Sequence, residues 1–132
     1  MLMVMEPTKK VLLVDDDGVY LFLLKRLLKK HSSVGEVVSA GDGAEALSML
    51  SVDADLGTLP QVIISDIEMP GMDGITFAKE LARLGLVDYC HTQVILNSGK
   101  VSYEKLDWSV EIPSIAYLPK PLTKADLLNI LA

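Results

Sequence analysis

Three chemically capable side-chain types stand where apolar runs stop. Asp15, Asp16 and Asp17 follow Lys10-Val-Leu-Leu-Val14, Asp66 follows Gln61-Val-Ile-Ile-Ser65, Ser98 follows Gln93-Val-Ile-Leu-Asn97, and Lys120 follows Ile115-Ala-Tyr-Leu118. Carboxylates gathered in one place repel each other, and a hard divalent cation with oxygen ligands relieves that repulsion; Mg²⁺ is usually held by one or two carboxylates, with water or phosphate completing its shell. A carboxylate so placed is also a nucleophile toward phosphorus, forming an aspartyl-phosphate when a metal and a cation neutralise the transferring group. Lys120 supplies such a cation and Ser98 a hydroxyl donor.

These groups converge only if the runs before them are strands of one sheet. The runs are continuous and β-branched, as in strands buried on both faces, and Glu36-Val-Val-Ser-Ala40 is a weaker fifth example. Between them lie helical stretches. Gly18 to Lys30 places Tyr20, Leu23, Leu24, Leu27 and Leu28 at helical spacing, and Ala44 to Leu50 is rich in helix formers. Gly74 to Leu84 is preceded by Asp73 as N-cap and ended by Gly85, and a last helix starts at Thr123. Five strands alternating with helices predict a doubly wound, five-stranded parallel sheet flanked by helices on both faces, with function at the carboxyl ends of the strands.

Composition narrows the function classes. The chain has 132 residues, 12 Lys+Arg and 18 Asp+Glu for a net charge of −6, with 50% hydrophobic and 23% charged residues. One globular domain fits that length, and a disordered regulator does not fit that apolar content. The acidic balance argues against direct nucleic-acid binding, which depends on Lys/Arg neutralising phosphates. Cys90 has no disulfide partner, and His31 and His91 complete no zinc set, so a reducing, cytoplasmic setting is expected. Met1–Met5 is too short for a signal-peptide core, and Val19–Leu28 is broken by Lys25 and Arg26, so no membrane span is expected. Nucleotide motifs are missing, and three carboxylates after the first strand would repel a phosphate that a dinucleotide fold binds there.

Taken together, the residues resemble the receiver domain of two-component response regulators, with its chemotaxis-regulator (CheY-like) variant of the flavodoxin-like fold. The resemblance runs from about Lys9 to the end, leaving residues 1–8 as an N-terminal tail and 9–132 as the domain. It rests on Val11-Leu-Leu-Val-Asp15-Asp16, Ile63-Ile-Ser-Asp66-Ile-Glu-Met-Pro-Gly-Met-Asp-Gly74, Val94-Ile-Leu-Asn-Ser98-Gly99 and Tyr117-Leu-Pro-Lys120-Pro121. It implies that Asp66 accepts a phosphoryl group and that Mg²⁺ is held by the Asp16 and Asp66 side chains and the Glu68 backbone carbonyl, with Asp15 binding through water. It further implies that Lys120 pairs with the phosphate, that Ser98 hydrogen-bonds a phosphate oxygen, that Tyr117 is the switch aromatic, and that the Lys120–Pro121 peptide is cis. The donor would be a histidine kinase or phosphotransfer protein, since neither His31 nor His91 has the surroundings of a donor. Output would pass to a downstream protein or through a domain outside this chain.

Some residues read more simply. Asp17 is expected to cap the first helix and stands outside the metal set, and Trp108 reads as packing. Glu68 and Lys100 sit two residues past Asp66 and Ser98, where the family tends to modulate dephosphorylation. Lys100 to Ile112 departs from the family's clear fourth helix, so the output face is not specified. Two other functions share part of this residue set. A receiver-like scaffold would keep the fold without phosphorylation. A small Mg²⁺-dependent phosphohydrolase would share the aspartyl-phosphate, but enzymes resembling the haloacid-dehalogenase type place Asp-x-Asp after the first strand and need a cap this chain is too short to include.

Overall fold

The computed structural model describes residues 7–108 and 112–132. Strands β1 (Lys9–Val14), β2 (Val34–Ala40), β3 (Val62–Asp66), β4 (Gln93–Ser98) and β5 (Ile115–Pro119) form one parallel sheet in the order β2-β1-β3-β4-β5. Helices α1 (Gly18–Lys29), α2 (Gly43–Leu56), α3 (Gly74–Leu84) and α4 (Lys124–Leu131) alternate with the strands, while β4 is followed by a short 3₁₀ turn, Val101–Lys105. The expected doubly wound fold is present. Strand order reverses between β1 and β3, and a crevice opens at such a switch point beyond the strands' carboxyl ends.

Side-chain alternation splits the core into two layers. Leu12, Val14, Ile63, Val94 and Leu96 pack with Ala46 and Leu50 of α2 and with Phe77, Ala78 and Leu81 of α3. Val11, Leu13, Val62, Ile64 and Ile95 point the other way, onto Leu24 and Leu28 of α1 and Leu127, Ile130 and Leu131 of α4. Burial on both faces is why these strands read as unbroken apolar runs.

Capping follows the sequence closely. Asp17, Asp42, Asp73 and Thr123 each accept from backbone N–H groups at a helix start, and Gly85 ends α3 with φ 61°. The boundaries differ most at α2, which the sequence ends at Leu50 but which continues to Leu56 before Gly57 closes it at φ 71°. The extra turn is held by one distant and one local contact: Lys10 Nζ of β1 meets Asp53 Oδ2 at 2.8 Å, and Thr58 Oγ1, just past the helix, donates to Asp53 Oδ1 at 2.9 Å. Strands β3 and β4 each run one residue further than expected, so Asp66 and Ser98 are the last strand residues. In the segment that departs from the family's fourth helix, Val101–Lys105 form the 3₁₀ turn; 109–111 and the tail residues 1–6 lie outside the described residues. Among the described residues, no helix is long and apolar enough to cross a membrane.

Candidate functional site

The two-residue period that sorts the core also sorts the site. Continuing Val11, Leu13 puts Asp15 on the α1/α4 side of the sheet; continuing Val62, Ile64 puts Asp66 there too, and Ile95 leads to Asn97. Ser98 follows Val94 and Leu96 onto the α2/α3 side, where Tyr117 also packs. Register aligns them: Val14 is paired with Ser65 and Asp66 with Asn97, so Asp15, the residue after β1, stands level with Asp66 at the end of β3.

Asp15 is 2% exposed and Asp66 8%, whereas Asp16 is open to solvent. One carboxylate oxygen from each of the three lies within 4.8 Å of the others. The donor set is hard oxygen alone, with two buried carboxylates and one outward, which fits a Mg²⁺ ion that keeps part of its water shell. Lys120, from the loop after β5, reaches Asp15 Oδ2 at 2.8 Å and Asp66 Oδ1 at 3.4 Å. The Lys120–Pro121 peptide is cis.

Electrostatics follow from that packing. Burial pushes the Asp66 carboxyl above its ordinary range, and the neighbouring Asp15 adds to it against the pull of Lys120. Burial works against the Lys120 ammonium, but the hydrogen bond to Asp15 and the two carboxylate charges outweigh it and hold its pKa above that of an ordinary lysine. The cluster thus carries excess negative charge that a single lysine does not balance.

The other rim of the crevice holds Ser98, Glu68 and Lys100. Ser98 Oγ donates to Glu68 Oε1 at 2.9 Å, and Glu68 Oε2 pairs with Lys100 Nζ at 3.2 Å. Those two contacts, the Ser98 bond foremost, hold the Glu68 carboxyl below its usual range. Tyr117 is half-buried, its hydroxyl donating to the Ser98 carbonyl at 3.4 Å. Gly74 lets the β3–α3 loop close on the site: its N–H donates to the Ile67 carbonyl at 2.7 Å, and a Cβ there would overlap the Asp66 carbonyl.

The structure therefore brings Asp15, Asp16, Asp66 and Lys120 together, with Ser98 and Glu68 beside them and Tyr117 behind Ser98. Asp17 does cap α1 and stays out of the cluster. Two participants were not singled out in the sequence. Tyr20, which reads there as a core position of α1, lies with its ring under Lys120 Nζ. Asn97, which reads as part of a strand, sends its amide to the Tyr20 hydroxyl at 3.1 Å. The available signal was a lone amide at the end of an apolar strand.

Residues 11–132 match the model of the response regulator receiver domain. The chain belongs to that family. As a receiver domain it is 32% identical over 120 residues to a protein-glutamate methylesterase/protein-glutamine glutaminase of Paramagnetospirillum magneticum, a match covering 89% of this chain and 29% of that protein. The curated relatives it matches are much longer, the receiver spanning between 16% and 34% of their length. A two-component response regulator from Cytophaga hutchinsonii has the same fold, with TM-score 0.85, 26% identity and 95% of each chain covered. The receiver domain of the histidine kinase CKI1 from Arabidopsis thaliana, solved in complex with Mg²⁺, superposes with TM-score 0.74 at 28% identity, covering 94% of this chain and 92% of that one.

Proposed function

We propose that this receiver, residues 9–132, is a phosphorylation-operated switch in which Asp66 takes a phosphoryl group from the phosphohistidine of a histidine kinase or phosphotransfer protein, or from a small acyl phosphate. The observation that carries this reading is the placement of Asp66 between a buried second carboxylate and the only ammonium within reach of both among the described residues, with a hydroxyl donor on the opposite rim. An Asp66 carboxylate oxygen attacks phosphorus as the bond to the donor nitrogen or acyl oxygen breaks. Its electron pair leaves with the donor, and the product is a mixed anhydride.

Asp15, Asp16 and Asp66, with the Glu68 backbone carbonyl, would hold Mg²⁺, which when bound supplies positive charge to the equatorial oxygens of the transferring group. Asp66 is neighboured by excess negative charge, so its reaction depends on that neutralisation. Lys120 would turn from the carboxylates to a phosphoryl oxygen. Ser98 would leave Glu68 to donate to a second one, drawing the β4 end inward. The added charge of roughly −1.5 to −2 biases the loop and Tyr117 toward a second arrangement, and a changed surface is the output. The partners would be a phosphodonor protein and a downstream protein or output domain, in the cytoplasm, with no catalytic turnover of an external substrate.

Incubation with acetyl phosphate followed by intact-mass spectrometry tests this reading. One phosphoryl group is expected on the wild type with Mg²⁺, none after chelation, and none on Asp66→Asn. Mg²⁺ binding without any adduct, from acyl phosphate or from a phosphorylated kinase, would favour a scaffold instead.

A further inference from the structure

Lys120 has a third neighbour besides its two carboxylates. Its Nζ lies 4.3 Å from the centroid of the Tyr20 ring, over the ring face. An ammonium in that position is attracted by the negative face of the aromatic quadrupole.

The ring is fixed from both ends. At its base, Asp17 Oδ1 accepts from the backbone N–H groups of Val19 at 3.0 Å and Tyr20 at 3.2 Å, and the Asp17 N–H donates to Asp15 Oδ1 at 2.9 Å. At its tip, Asn97 Nδ2 donates to the Tyr20 hydroxyl oxygen at 3.1 Å. The contacts close on themselves, from Asp15 to Asp17, Asp17 to Tyr20, Tyr20 to Lys120, and Lys120 back to Asp15. Asn97 is 1% exposed in a strand otherwise apolar from Val94 to Leu96, and its Oδ1 is buried without a hydrogen-bond partner. A half-satisfied buried amide destabilises a sheet that an aliphatic residue would suit. Among the described residues, its one side-chain bond is the one that orients Tyr20.

The carboxylates alone do not fix Lys120 during reaction. A cation taken up by Asp15 and Asp66 competes for the oxygens that hold the ammonium, and a lysine's four-carbon stem then regains its rotamer freedom. Unlike Asp15 and Asp66, whose carboxylates belong to the cation cluster, Tyr20 meets Lys120 through its ring face. We propose that Tyr20, oriented by Asn97 and by the Asp17 cap, is a positioning residue that holds the Lys120 ammonium at the phosphoryl site while the carboxylates are otherwise engaged. This rests on the reading of Asp66 as acceptor and Lys120 as its cation.

The test compares wild type, Tyr20→Phe, Tyr20→Leu and Asn97→Val, each checked for folding by circular dichroism. Two readouts are taken: the rate of phosphoryl uptake at saturating acetyl phosphate and Mg²⁺, and the ring-current shift of the Lys120 Cε protons by NMR, with and without Mg²⁺. In the wild type those protons are shifted upfield in both conditions. Tyr20→Leu abolishes the shift and slows uptake by about three- to tenfold. Tyr20→Phe, which keeps the ring face but loses the hydroxyl that Asn97 holds, and Asn97→Val, which removes the same bond from its other end, both give a smaller shift and an intermediate rate. Uptake by a folded Tyr20→Leu at the wild-type rate overturns the proposal, as does an equal loss in the Phe and Leu variants or a wild-type shift that vanishes with Mg²⁺. If the wild type itself takes up no phosphoryl group, the acceptor reading has failed and the positioning role in transfer falls with it. That failure is recognisable because every variant is then equally inert while the ring-current shift persists.

Discussion

Ser98 Oγ and Glu68 Oε1 are joined by a 2.9 Å hydrogen bond across the crevice between the ends of β4 and β3. The hydroxyl proposed to meet a phosphoryl oxygen is therefore already engaged, and by a carboxylate that Lys100 holds in place at 3.2 Å. On the proposed reading, phosphorylation of Asp66 would break this bond, and the Glu68 charge would oppose an incoming dianion.

Glu68→Gln keeps the shape of the side chain but weakens its hold on the hydroxyl and removes the charge. Phosphoryl uptake from acetyl phosphate is expected to rise by about two- to fivefold, a range set by the small energies of exposed ion pairs. The gain should shrink at high salt, where screening already weakens Glu68. A slower variant, or one indifferent to salt, would contradict the competition.

Asp66→Asn should stabilise the metal-free fold at neutral pH. Burial raises the Asp66 carboxyl above its unfolded value. For a raised carboxyl the native state binds more protons, so its contribution to stability is full below the unfolded pKa and is lost as pH rises through the folded one. At neutral pH the charged native form is the strained one, and the amide removes that strain. The melting temperature of the variant should exceed wild type by a few degrees at pH 7 without Mg²⁺, the gap closing as pH falls through the carboxylate range. A variant less stable at pH 7 and unchanged in acid would show that Lys120 dominates instead.

Gly74→Ala should be among the most damaging small substitutions. The added methyl would meet the Asp66 carbonyl and the Ile67 Cα, both backbone atoms that cannot swing aside. A cost of about 1–3 kcal/mol is expected from overpacking. Gly85→Ala, at φ 61° with open space around it, strains only its own backbone and serves as the comparison. Gly74→Ala should also lose phosphoryl uptake, since the methyl displaces Asp66, while Gly85→Ala keeps it.

Trp108 should report the switch. It is the only tryptophan in the chain. Its ring stacks on Tyr117 with centroids 5.0 Å apart and planes 12° apart, and its indole N–H donates to the Tyr103 carbonyl at 2.8 Å. Inward rotation of Tyr117 removes that stacking partner. Acetyl phosphate with Mg²⁺ should change the Trp108 emission in the wild type, leave it unchanged in Asp66→Asn, and change it far less in Tyr117→Ala.

Much of this architecture is legible in the sequence. Continuous apolar runs gave away strands buried on both faces, and Asp17, Asp73, Gly85 and Thr123 act locally, so their capping roles could be read from neighbours in the chain. Asp15, Asp66 and Lys120 were legible because each ends or follows a strand, and a parallel sheet collects strand ends. What escaped depends on contacts between distant segments. The last turn of α2 is held by Lys10, 43 residues from Asp53, and the Asn97–Tyr20 bond spans 77 residues. Tyr20 sits in an apolar helical pattern, and nothing local distinguishes an aromatic that packs from one that carries an ammonium. Trp108 reads as packing in the sequence, and in the structure its stacking partner is Tyr117, the aromatic expected to move.

The central claim is that Asp66 carries the phosphoryl group, and chemical trapping addresses it at the residue itself. Borohydride reduces an acyl phosphate to an alcohol, turning a phosphorylated aspartate into homoserine. After treatment with acetyl phosphate and Mg²⁺, peptide mapping should find homoserine at position 66 alone, and none when Mg²⁺ is chelated. Homoserine at Asp15 or Asp16, or none at all in a chain shown to bind Mg²⁺, would contradict the account.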